Sequence, residues 1–211
     1  MNTYPKSDLS LYSIGPANRK EADPLVRTHY LHRWPGVVVS TIGMWRGPLL
    51  VGVIVFALPP RETMKRYNVP LAWELARLFI FDSEPFNSET WFMAKAIRWV
   101  RKEHPEVKLL VSYADPSHGH QGVIYKAANW KQDGRTDQER KTPRFDYSVA
   151  GKIYSRRSHV PEGAIIVRVP RVSKFRFVYY LHKEMTKELI HLDPHHLQLV
   201  DQILPSASPC L

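Results

Sequence analysis

Cysteine is almost missing from this chain: one in 211 residues, Cys210, at the second-last position. A disulfide framework within the chain is excluded, and a cytoplasmic setting is expected. Cys210 lies in the polar tail SASPCL and is a poor candidate nucleophile. Long apolar runs are missing too. The longest, Leu49 to Leu58, falls short of the ~20 residues that a membrane-crossing helix needs, so it reads as a buried strand and no membrane partner is expected. Residues 1–24 contain no apolar stretch of the secretory-signal kind. Acidic residues are outnumbered, 20 against 30 Lys and Arg. Glycine is absent from the turn Ser83-Glu84-Pro85-Phe86, which precedes the strongest helical pattern.

What is present is enough for one core. Hydrophobic residues make up 44% of the chain, which places it among globular proteins of one domain. The net charge of +10 is unevenly spread. Residues 131–176 hold 12 Lys and Arg against 5 Asp and Glu, residues 1–130 contribute +5, and residues 177–211 contribute −2. Phe145, Tyr147, Tyr154, Phe175 and Phe177 are interleaved with the basic segment. Cations and rings together suit nucleic acid, through phosphate neutralisation and base stacking. A solvated basic surface is the plain alternative.

Local patterns predict a mixed α/β sheet. Residues 1–24 read as an irregular arm, with Pro5, Gly15, Pro16 and Pro24 as breakers, and 25–34 as a short helix stopped by Pro35. Val37–Thr41 and Leu49–Leu58 flank Arg46-Gly47-Pro48 and predict an antiparallel hairpin. Residues 61–70 read as a loop and Leu71–Phe81 as a strand. A helix begins at Asn87 or Ser88, with Met93, Ala96, Ile97 and Val100 on one stripe, and Pro105 stops it. Val107–Ala114 is apolar on both faces and reads as a central strand. Gly122–Asn129 reads as a short helix and Lys131–Pro143 as a charged loop. Strands follow at 146–154, 164–169 and 175–180, then a helix at 182–190 and a tail over 191–211.

Chemistry-bearing side chains gather where the central strand ends, in VSYADPSHGHQGVIYKAANW (111–130). Asp115 is placed to be a general base or a metal ligand, or simply to start an Asp-Pro turn. Ser112 and Tyr113 just before it strengthen the functional reading. Tyr125 is suited to donate a proton, to stack on a base, or to fill a core. His118 and His120 read as solvated loop residues, and His29-Tyr30 as packing. Arg77, inside the apolar stretch 75–81, needs an anionic partner if it is buried: Asp115, Glu74, or a bound phosphate or carboxylate. Asn87-Ser88-Glu89-Thr90 opens a helix, which makes it either an anion site or a plain cap.

The ordered series LARLFI (75–80), NSET (87–90), VSYAD (111–115) and HQGVIYKAANW (120–130), with HY at 29–30 and GVIVFALPP at 52–60, resembles the phage Mom-type DNA adenine modification proteins. These are a divergent branch of the GNAT-like fold. The resemblance covers residues 25–180. It implies a mostly antiparallel central sheet flanked by helices in one domain, with a basic DNA-facing segment at 131–176. It implies addition of a carbamoylmethyl group to adenine N6 in double-stranded phage DNA, on an extruded base, as protection from restriction nucleases. It makes Asp115, Tyr125 and Arg77 essential, adds Tyr30 and His29 as site residues with His29 and Asp115 as iron ligands, and sets Asn87 and Ser88 against the cofactor. An acyl-CoA or related donor follows from the fold, although the glycine-free turn departs from the usual loop that holds CoA. An acyl-CoA N-acetyltransferase for a protein or small amine, and a non-enzymatic DNA-binding protein, are the other two functions compatible with these residues.

Overall fold

The structure is a computed structural model that describes residues 8–138, 140–154 and 159–182. The two aliphatic runs form the expected hairpin, β2 (Val38–Arg46) and β3 (Leu49–Ala57), joined at Gly47, whose φ of +59° the tight turn requires. β3 is covered on both faces. Val53 and Val55 pack on one side, and Ile54 and Phe56 on the other.

Residues 12–16 and 19–24 are regular, contrary to the arm expected over 1–24, and the helix expected over 25–34 begins earlier and ends at Thr28. β1 (Tyr12–Pro16) pairs with β2, and α1 (Arg19–Thr28) follows. A reciprocal capping box between Asn18 and Glu21 fixes the helix start. Ala22, Leu25 and Val26, at i, i+3 and i+4, bury against Val53 and Val55. That burial outweighs the hydrogen bond lost at Pro24 inside the helix.

Residues 61–70, expected as a loop, hold α2 (Arg61–Tyr67), which buries Thr63 and Met64 and stops at left-handed Asn68. β4 (Ala72–Ile80), α3 (Ser88–Glu103), β5 (Leu109–Ala114) and α4 (Val123–Ala127) follow as their patterns predict. Lys131–Pro143 is a loop only in part, because its first five residues form β6 (Lys131–Arg135). β6 is an edge strand, so its polar composition suits solvent and hides the strand from periodicity. β7 (Phe145–Val149), β8 (Lys152–Tyr154), β9 (Val167–Pro170) and β10 (Phe175–Tyr180) complete the described elements. The helix and tail expected over 183–211 lie outside the described residues.

Seven strands form one sheet in the order β1-β2-β3-β4-β5-β10-β6, with β4–β5 parallel and the other neighbours antiparallel. α3 and α4 pack on one face through Phe92, Met93, Ala96 and Tyr125. α1 and α2 pack on the other through Val26 and Met64. β7, β8 and β9 form a second sheet inserted between β6 and β10. The insertion closes where Thr136 N donates to Lys174 O and Lys174 N donates to Thr136 Oγ1. No helix among the described residues is long and apolar enough to cross a membrane.

Candidate active site

β4 and β5 share only three register pairs, from Ala72–Leu109 to Glu74–Val111. Past them the strands part, and a cavity of 560 Å³ occupies the fork. It is lined from β4 by Glu74 and Arg77, from β5 by Ser112 and Tyr113, and from neighbouring segments by His29, Tyr30, His120, Tyr125 and Lys174. Strands that separate along one edge free side chains from both to face a common space, and the sequence clusters them there.

Ser112 and Tyr125 form a buried relay. The Ser112 hydroxyl lies 2.7 Å from Leu75 O and 2.8 Å from the Tyr125 hydroxyl. A carbonyl only accepts, so Ser112 donates to Leu75 and Tyr125 donates to Ser112. Burial pushes the Tyr125 phenol up to about 12, against the lowering effect of Ser112. It is therefore a neutral hydrogen-bond donor, not a base. Its ring stacks on Phe177 with centroids 5.1 Å apart, and Trp130 packs at 5.4 Å. Trp130 is buried in the core and leaves no face free for a base to stack on.

Arg77 is buried, and of its expected partners it interacts through charge with Glu74, while its hydrogen bonds go to backbone carbonyls. Its Nε donates to Arg33 O at 2.8 Å and its Nη1 to Ala76 O at 2.6 Å. Val55 pairs with Arg77 and Phe56 with Leu75, so Ala76 is an extra residue, a bulge. The bulge reverses alternation and turns Arg77 onto the face of Glu74. Burial raises the Glu74 carboxyl above its usual range, and the charges of Arg77 and Lys174 offset part of the rise.

Asp115 pairs with Lys174 at 2.9 Å and accepts from Ser117 N and Oγ at 3.0 and 2.5 Å. Burial alone would raise its carboxyl, but Lys174 and Ser117 outweigh it and hold it below the usual range. Asp115 thus caps the turn 116–118 and anchors the lysine at the cavity. Sequence reading missed Lys174. No local pattern carried it: the tertiary pairing of Phe175 with Ala114 sets Lys174 opposite Asp115. Tyr113 alternates to the α2 face, bonds Thr63, and packs in the Met64–Val69 cluster.

His118 and His120 are exposed loop residues, as expected, and their rings stand 4.9 and 4.8 Å from that of Tyr30, with His29 at 4.4 Å. Burial, then the Arg77 charge, lowers His29 to about 4, so it is neutral at pH 7. Its Nδ1 accepts from Leu31 N. That bond and the engaged Asp115 oxygens make a poor donor set for iron. Among the described residues no three His, Cys, Asp or Glu side chains form a group able to hold a metal.

The α3 start is equally unsuited to a pyrophosphate. Ser88 is buried and donates to Pro85 O at 2.5 Å, and Asn87 is left-handed with no side-chain cap bond. Asp82 and Glu89 line this end of the cavity. Two carboxylates and a glycine-free turn oppose an anion there.

Known proteins share both the fold and the sequence pattern. A GNAT family acetyltransferase from Elizabethkingia anophelis with acetyl-CoA bound aligns at TM-score 0.50 and 9% identity, over 81% of this chain and 98% of that one. Arabidopsis thaliana NAA60 in complex with acetyl-CoA aligns at 0.52 and 9%, over 80% and 98%. The fold is therefore GNAT-like. The methylcarbamoylase mom of Escherichia phage Mu is 32% identical over 107 residues, which is 48% of this chain and 44% of that protein. A family model described as the Mom protein family matches residues 11–197. With that match running from before β1 to beyond β10, this chain belongs to the Mom protein family.

Proposed function

We propose that this protein modifies DNA, adding a carbamoylmethyl group to adenine N6 and so shielding phage DNA from restriction nucleases in the host cytoplasm. The family match over residues 11–197 carries this reading, and the β4–β5 cavity is the site it uses here. At 560 Å³ the cavity has room for a purine and a small donor. Adenine N6 is engaged in the base pair, so the base must leave the stack to reach the fork. Flipping costs a few kcal/mol, which the half-exposed ring of Tyr30 partly offsets by stacking.

The exocyclic amine is weakly nucleophilic because its lone pair is delocalised into the ring. Glu74, with its raised carboxyl, is the base that takes the N6 proton. The N6–carbon bond forms as the bond from that carbon to its leaving group breaks, and the leaving group departs with the electron pair. Arg77 and Lys174 supply positive charge beside the developing anion. Tyr125 and Ser112 hold the β5 wall in place, and Asp115 orients Lys174. An acyl-CoA or related donor, as in the fold's neighbours, has to present a methylene carbon bearing the leaving group and carry the carbamoyl nitrogen with it, because attack at a thioester carbonyl yields an amide. The α3 start does not favour a pyrophosphate and the histidine cluster does not favour iron, and the reaction above uses neither.

The test is mass spectrometry of nucleosides from DNA of cells expressing the protein. A modified deoxyadenosine is expected with the native chain. Unmodified deoxyadenosine in the presence of folded protein removes the reading.

A further inference from the structure

We propose that the small sheet of β7, β8 and β9 is a stacking platform for the unpaired DNA strand beside the extruded adenine. This rests on the function proposed above and adds a second site to it. Tyr147 pairs with Tyr154 on one side and with Arg168 on the other, so all three share a face. Phe145 and Lys152, two residues from Tyr147 and Tyr154, lie on that face as well. Phe145 and Tyr147 are edge to face with centroids 5.7 Å apart. Arg168 lies 4.7 Å over the Phe145 ring and Lys152 lies 5.3 Å over Tyr154.

The three rings are half-exposed and both cations are exposed. The strand residues of this face include no carboxylate. Asp146 alternates to the opposite face, where it pairs with Arg171. Cations resting on rings, on a face without acid, present π surfaces and positive charge together. A nucleic-acid strand offers the complement, bases to stack and phosphates to neutralise. A duplex hides its base faces, so three rings on one face of the small sheet select unpaired nucleotides, roughly two or three on a sheet of this size. Lys174 ties the platform to the chemistry, since it closes the insertion and lines the cavity. Extruding a base leaves neighbouring nucleotides unstacked close to that junction.

Fluorescence anisotropy with a labelled single-stranded deoxyoligonucleotide and the matching duplex tests this on the full chain. The Tyr147→Leu/Tyr154→Leu pair keeps apolar bulk but loses stacking, and is expected to weaken single-strand binding about tenfold or more. Tyr147→Phe/Tyr154→Phe is expected to bind like the native chain. Lys152→Gln with Arg168→Gln, which leaves the rings in place, is expected to reduce the salt slope by about one to two; it decides the matter if the leucine pair does not fold. Native single-strand affinity in the leucine pair, or a native salt slope in the glutamine pair, overturns the platform. Native protein that binds the single strand no better than the duplex overturns it too. Nucleoside mass spectrometry of the native chain is read separately, so loss of the adenine product and loss of the platform are distinguishable results.

Discussion

Glu74 and Asp115 serve one cavity from opposite environments. Burial lifts Glu74, while Lys174 and Ser117 hold Asp115 low. On the proposed reaction, two carboxyls displaced in opposite senses divide their work: the raised one takes a proton, and the low one remains an anion that orients a cation. Glu74→Gln is expected to cost about 100-fold or more in modification rate. The acid limb of the native pH–rate profile is expected above the usual carboxylate range. Asp115→Asn should slow the reaction and leave that limb in place; a limb that shifts with Asp115→Asn and not with Glu74→Gln reverses the assignment. His29 sets a separate pH dependence. Its folded pKa of about 4 lies below the ordinary 6.5, so the unfolded chain binds more protons between the two values. The stability that neutral His29 provides is complete above pH 6.5 and is lost as pH falls towards 4. Thermal melts between pH 7 and 4.5 should show a smaller drop for His29→Gln than for the native chain. That Ser112 and Tyr125 stand near a strand end beside Arg77 was legible, because strand ends in such folds carry sites, whereas Tyr30 read as packing from its residues and entered only through the family resemblance. Their partners were not. Whether Arg77 meets Glu74 or Asp115 depends on a bulge at Ala76 that no residue type announces.

Among the elements, α4 shows how little tolerance the site wall has. Gly122 precedes it with φ of +76°. A Cβ there would sit 2.2 Å from Cζ of Phe177, which is fully buried and stacked on Tyr125. Gly122→Ala adds left-handed strain to a displaced core ring and is expected to destabilise by about 2–4 kcal/mol. Calorimetry should show Tm lowered by roughly 5–10 °C, and a change of under a degree would mean that Phe177 yields freely. The aliphatic strands and the long α3 were legible from period and length. α1 was obscured by Pro24, whose effect a capping box and three buried side chains override. β6 was obscured because an edge strand has no buried face to leave an alternating pattern.

Across the whole molecule, charge and chemistry are set apart. The segment 131–176 carries a net +7 of the chain's +10, and most of it is an insertion in a sheet that is complete without it. Replacing residues 137–173 by a two-residue Asn-Gly turn should leave the far-ultraviolet dichroism of the seven-stranded sheet intact. The same change should flatten the dependence of duplex DNA affinity on salt, by about 0.9 for each phosphate contact removed. An unchanged salt slope would place the DNA contacts elsewhere. The net charge of this segment was visible in composition alone, but its arrangement as a second sheet was not, because each of its strands is five residues or shorter.

The seam between Thr136 and Lys174 consists of two hydrogen bonds. Length and sequence can change on the outer side of such a seam without shifting the register of any strand in the main sheet. Natural variation among relatives can therefore accumulate there at little cost to folding. On the function proposed above, a lineage meeting new restriction systems can renew how it grips its target while inheriting the reaction centre unaltered.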